Sequence, residues 1–151
     1  MTRTKRLNGR LHEISEEVRV VMGRLDYESL MQEACEIGIR VEERKLKNGL
    51  CGFYYEPLRT VVIDYTMDEA QQRCTLCHEL IHARHNDSRC GSIRDKSERR
   101  ARRETALRLI SPIQYASIEE IYPDDMFHMA SELDVTLQVL KDYRSLLSEL
   151  L

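Results

Sequence analysis

Residues 78–82 read His-Glu-Leu-Ile-His, two imidazoles and a carboxylate at a spacing that metal-assisted hydrolysis can use. On a helix of about 3.6 residues per turn, positions four apart differ by roughly 40° and rise about 6 Å. Two imidazoles so placed reach one ion at about 2.0–2.1 Å each. Glu79 stands beside them, near enough to hold an activated water and turned away from ligation. In such a site the metal lowers the water's pKa and the carboxylate takes its proton. The pattern predicts a zinc site with His78 and His82 as ligands and Glu79 as general base. Two core histidines satisfied by backbone carbonyls are the bland alternative.

A helical projection bears on that choice. Gln71, Cys74, Thr75, His78, His82 and His85 fall on one side, while Leu76, Leu80 and Ala83 fall on the other. The helix has an apolar face for the core and a histidine face for something else. A site of this kind takes a third protein ligand and leaves one position open. The next helical segment offers Glu98 and Glu104, with Asp95 just ahead. Glu98 shares a stripe with Ala101, Thr105 and Leu109, all within about 60° of it at ~100° per residue. Glu104 sits with Ser97, Arg100 and Arg108 on what reads as a solvated face. Glu98 is the preferred third ligand. As a plain first-turn carboxylate it would simply complement the helix dipole.

The elements that must hold these residues are legible in outline. The 9–24 and 27–37 segments have helical spacing. Residues 39–42 alternate, Asn48-Gly49 signals a turn, Leu50 to Tyr55 is apolar and aromatic, and Thr60 to Ile63 is β-branched. Three short strands with tight connections predict a small, mostly antiparallel sheet in an α+β fold. The histidine helix spans about 68–85, and the glutamate helix runs from about Ser97 to Ile110, stopped by Ser111-Pro112. The rest reads as short helices near 112–118, 124–133 and 136–149.

Composition narrows the setting. A formal net charge of −3 leaves no polycationic footprint for nucleic acid, and no stretch approaches the roughly 20 apolar residues of a membrane helix. The four Lys/Arg among residues 1–10 are followed by no apolar run of a signal peptide. Five cysteines, an odd set, predict free thiols and a cytoplasmic location.

With Thr75-Leu76-Cys77-His78-Glu79-Leu80-Ile81-His82 in view, the chain resembles the ImmA/IrrE family of zinc metallopeptidases. A second block carries the likeness: Glu98-Arg99-Arg100-Ala101, then Thr105-Ala106 and Leu109-Ile110-Ser111-Pro112. The resemblance covers about residues 27–112 and departs from the family pattern at Ile81 and Arg84. It implies a compact gluzincin-like fold over 1–111 with a helical extension over 112–151. It also implies a phage or mobile-element protein whose partner is a helix-turn-helix repressor, cleaved or, in the alternative, disabled by binding around a structural zinc.

Weaker signals complete the picture. Cys74-Thr75-Leu76-Cys77-His78 matches a c-type haem attachment pattern, but His78 is better employed in the zinc pair. Candidates for stabilising a tetrahedral oxyanion are His85, Tyr54 and Tyr55. Cys90 is placed to mask the open metal position. The strand around Gly52 is suited to receive a peptide as an added strand. The tail, 129–147, has a faint helix-turn-helix rhythm, yet Lys141 and Arg144 are too few cations for DNA reading. The arginine-rich stretch from Arg94 to Arg108 reads as a solvated face or an attraction for an acidic partner.

Overall fold

The computed structural model describes residues 25–87 and 91–150. The helix expected over 9–24, and Cys90, lie outside them. In chain order the elements are α1 (Tyr27–Glu36), β1 (Arg40–Arg44), β2 (Gly52–Tyr55), a 3₁₀ turn (Glu56–Leu58) and β3 (Thr60–Asp64). Then come α2 (Glu69–Arg84), α3 (Gly91–Leu109), α4 (Pro112–Ile121), α5 (Met126–Leu133) and α6 (Leu137–Leu150).

The helix starts follow from local capping. Asp26 caps α1 by accepting from Ser29 N–H at 2.8 Å. Asp68 accepts from Gln71 N–H at 2.8 Å while Gln71 Oε1 accepts from Asp68 N–H at 3.3 Å, a capping box that satisfies donors reciprocally at the start of α2. Pro112 at the first turn of α4 supplies the φ a helix start needs. The glutamate helix starts at Gly91, well before Ser97; its first turns lack the apolar repeat that periodicity detects, so spacing did not mark them.

The sheet has three strands, as expected, but it is mixed. β3 lies in the middle, antiparallel to β2 and parallel to β1. The Asn48-Gly49 turn, both residues at positive φ, does not close a β1–β2 hairpin. β3 inserts between the two because every one of its residues is buried, and a fully buried strand needs a partner on each side for its backbone. β1 and β2 are therefore the two edges.

The α2 helix lies across the sheet and contacts β2 and β3, with α1 and α3 packed on it and α6 packed on α3. Leu76, Leu80 and Ala83, the predicted apolar face, are among the buried core with Leu30, Val61, Ile63 and Ala101. Arg73 is buried in the same helix. Its Nε donates to Leu25 O at 2.7 Å and its Nη1 to Asp134 O at 2.7 Å, with Nη2 3.5 Å from Leu109 O. One guanidinium thus ties α2 to the entry of α1, the end of α3 and the α5–α6 turn.

Candidate metal centre

One turn of α2 separates His78 from His82, and their rings meet edge to face with centroids 4.8 Å apart. Their Nε2 atoms lie 3.2 Å from each other. Glu98, on α3, brings Oε1 to 2.7 Å from His82 Nε2 and 3.3 Å from His78 Nε2. Among the described residues, these three form a group able to hold a metal ion. Glu104 is instead drawn to His85, 3.2 Å away, and Asp95 is exposed.

The orientation of His82 comes from the way α2 ends. Asn86 adopts a left-handed conformation at φ 49°, which asparagine tolerates. Asn86 N–H then donates to Ala83 O at 3.2 Å and Asp87 N–H to His82 O at 3.0 Å, the paired bonds of a Schellman cap. The cap turns Asp87 back along the helix, where its Oδ2 lies 2.8 Å from His82 Nδ1. Arg100 Nη2 holds both oxygens of Asp87, at 2.5 and 2.6 Å. Asp87 is the functional candidate that spacing did not reveal. The Asn86-Asp87 pair after the last helical residue was its signal.

The donor set fits a cation. A carboxylate at Nδ1 keeps the proton on that nitrogen in neutral imidazole, so Nε2 presents a lone pair. His82 Nε2 then faces a carboxylate oxygen and a second imidazole nitrogen, an arrangement that needs a proton or a cation among the atoms. Adjacent ligands at about 2.0–2.1 Å from a tetrahedral ion stand about 3.3–3.4 Å apart. The 3.2 and 3.3 Å separations from His78 Nε2 approach that edge.

Electrostatics point the same way. Hydrogen bonds from His78 and His82 hold the Glu98 carboxyl far below the usual carboxylate range, against the opposing effect of burial. Burial pulls His82 down, but the hydrogen bonds to Glu98 and Asp87 and the charge of Glu79 raise it above its ordinary value. Burial pushes Asp87 up, and Arg100 with His82 more than reverses this.

A cavity of about 300 Å³ opens on these atoms, lined by His78, Glu79, His82, Asp87 and Glu98, and by Cys51, Gly52 and Tyr54 from the β2 side. Glu79 is almost buried, 9% exposed. Tyr54 faces the cavity, its hydroxyl bonded to Glu56; burial and that carboxylate push its pKa up to about 12. Tyr55 is half exposed, and neither it nor His85 is among the described residues lining the cavity. Cys74 is buried and likewise stands outside this lining.

Gly52 lets β2 come this close. A Cβ there would lie 2.6 Å from Thr75 Cγ2 and 2.8 Å from Val62 O, too near for any side chain. The arginine stretch is not simply a solvated face. Ser97 is buried, and Arg100, Arg102 and Arg108 pair with Asp87, Asp142 and Glu33 of neighbouring elements. The acidic partners are supplied within the chain.

The fold is an α+β domain whose His/His/Glu cluster, on two adjoining helices, could hold a metal ion. The peptidase M78 family model, described as the IrrE N-terminal-like domain, matches residues 34–148, and the chain belongs to that family. No curated protein matches the chain. Family membership supports a metallopeptidase-type function acting on a protein or peptide. Among the described residues no helix is long and apolar enough to cross a membrane.

Proposed function

We propose that this chain is a cytoplasmic zinc endopeptidase, with His78, His82 and Glu98 holding the ion and Glu79 as general base. The convergence of three donor atoms on one point beside a nearly buried glutamate carries the reading. When bound, zinc supplies Lewis acidity, lowering the pKa of water and polarising a carbonyl. Glu79 takes a proton from the attacking water and delivers it to the departing amide nitrogen as the peptide bond breaks. Asp87 and Arg100 keep His82 in one tautomer and one orientation.

The substrate is bound as an added strand on the outer edge of β2. Asp64 N–H donates to Cys51 O at 2.9 Å, which sets the phase of the β2–β3 ladder. In an antiparallel pair with that phase, Gly52 and Tyr54 direct their N–H and C=O groups outward, toward the cavity side. Main-chain bonds there hold an extended segment across the site. The protein substrate we propose is a helix-turn-helix repressor of a phage or mobile element.

The test combines metal analysis with incubation of the purified repressor. The expected result is about one zinc per chain, a repressor cut into two fragments by the wild type, and an intact repressor with Glu79→Gln. A repressor that stays whole but is held in a stable complex by both proteins would favour the alternative, a binding anti-repressor with structural zinc.

A further inference from the structure

The sequence between Arg108 and Lys141 holds no lysine or arginine, yet carries Glu119, Glu120, Asp124, Asp125, Glu132 and Asp134. This stretch builds α4 and α5, and among the described residues neither helix lines the cavity at the candidate ligands. α4 turns Tyr115 and Ile118 into the core. At ~100° per residue, its opposite side carries Ile113, Ser117, Glu120 and Ile121. Ile113 is 61% exposed, Ile121 44% and Phe127, at the start of α5, 77%. Glu120 and Asp124 are exposed too, and no lysine, arginine or histidine of the described residues forms an ion pair with either. The backbone beneath these side chains is tied down. The Tyr122 and His128 rings stack at 5.3 Å with their planes 11° apart. Asp125 caps α5 by accepting from His128 N–H at 3.1 Å, and Tyr115 meets Tyr143 of α6 at a ring separation of 5.0 Å.

A single exposed apolar side chain is ordinary. A phenyl ring and two isoleucines interleaved with carboxylates that lack a cation are what a cationic amphipathic segment complements. Nucleic acid and anionic lipid carry the same sign as this face and are repelled by it. A second copy placed on a two-fold axis would set two like-charged faces against each other. We propose that the outer side of α4 and the start of α5 form a docking surface for a partner protein's amphipathic helix bearing lysine or arginine. Phe127 is its apolar anchor, as exposed aromatic rings often are, and Glu120 and Asp124 receive the cations. The inference goes beyond the metallopeptidase reading and does not rest on it.

The test titrates the full chain with a fluorescent amphipathic helical peptide of leucine and lysine. Two control peptides carry glutamate for lysine or serine for leucine. The first peptide should bind, more weakly as salt rises, and each control should bind at least about tenfold more weakly. Phe127→Ala, at an exposed position, should weaken binding about tenfold while thermal unfolding stays as in wild type. Glu120→Gln combined with Asp124→Asn should weaken it several-fold and flatten the salt dependence. His82→Ala should bind the peptide as wild type does, so that this surface and the metal centre stand or fall separately. Unchanged binding by folded Phe127→Ala would put the peptide elsewhere and overturn the proposal, as would a salt dependence that survives the double variant. No binding by wild type would overturn it too, whether the chain's own arginine-bearing residues 1–24 hold the face or nothing does. A dimer in sedimentation that is lost in Phe127→Ala would assign the face to a second copy instead.

Discussion

The two halves of α2 each bury polar groups and use them in opposite ways. In the first half, Arg73 donates to carbonyls from three separate segments, donor meeting acceptor. In the second, His78 Nε2, His82 Nε2 and Glu98 Oε1 face one another, acceptor meeting acceptor unless a proton or cation lies between. The first set is complete within the protein and serves the fold. The second is complete only with a proton or a cation among its acceptors, and that requirement marks a candidate site. Buried polarity by itself does not separate the two; the match of donors to acceptors does.

Four experiments would break or sharpen that contrast. The largest effect belongs to Glu79→Gln, expected to reduce cleavage about 10²–10⁴-fold while zinc content and thermal stability stay near wild type. A loss of stability instead would move Glu79 to the structural half. Arg73→Leu should do the reverse. It strands the carbonyls of Leu25 and Asp134, so urea unfolding should show a loss on the order of 3–5 kcal/mol. If that variant unfolds like wild type, the guanidinium is not the tie we describe.

Asp87→Asn comes next. It leaves the ligands in place and weakens the hold on His82, so competition with a chelator should reveal a 10- to 100-fold loss of zinc affinity, roughly. Unchanged affinity would make Asp87 a partner of Arg100 alone.

The smallest effect concerns Glu33, which bridges α1 to Arg84 at 2.6 Å and Arg108 at 2.5 Å. Burial raises its carboxyl pKa, but the two guanidinium groups outweigh this and hold it below the usual range. A depressed folded value means stability present above the unfolded pKa, near about 4.3, and lost as pH falls through the folded one. The stability gap between wild type and Glu33→Gln should therefore be full at neutral pH and close below about pH 4. A gap that persists into strong acid would show that packing, not charge, accounts for it.

The two faces of the histidine helix were readable from its spacing. Its apolar stripe of Leu76, Leu80 and Ala83 is buried, and the choice of Glu98 over Glu104 and Asp95 agrees with the group that converges. Strand positions were also legible, since alternation and β-branching are local. Pairing was not: Asn48-Gly49 was legible as a turn, but not that β3 would lie between the two strands it connects. The face of α3 carrying Ser97, Arg100 and Arg108 looked solvated because charge was visible and its partners were not. Those partners, Asp87 and Glu33, lie 13 and 75 residues away.

By itself the sequence determined whatever one helix or one strand can encode. Helical pitch alone brings His78 and His82 to the same side, and a capping box starts their helix at Asp68. Tertiary structure decided which distant groups meet them. Packing of α3 on α2 brings Glu98 to the imidazoles, insertion of β3 leaves β2 as an edge, and α6 packs on α3. Those outcomes depend on burying apolar faces whose partners lie far along the chain. Periodicity marks such a face but does not name what covers it.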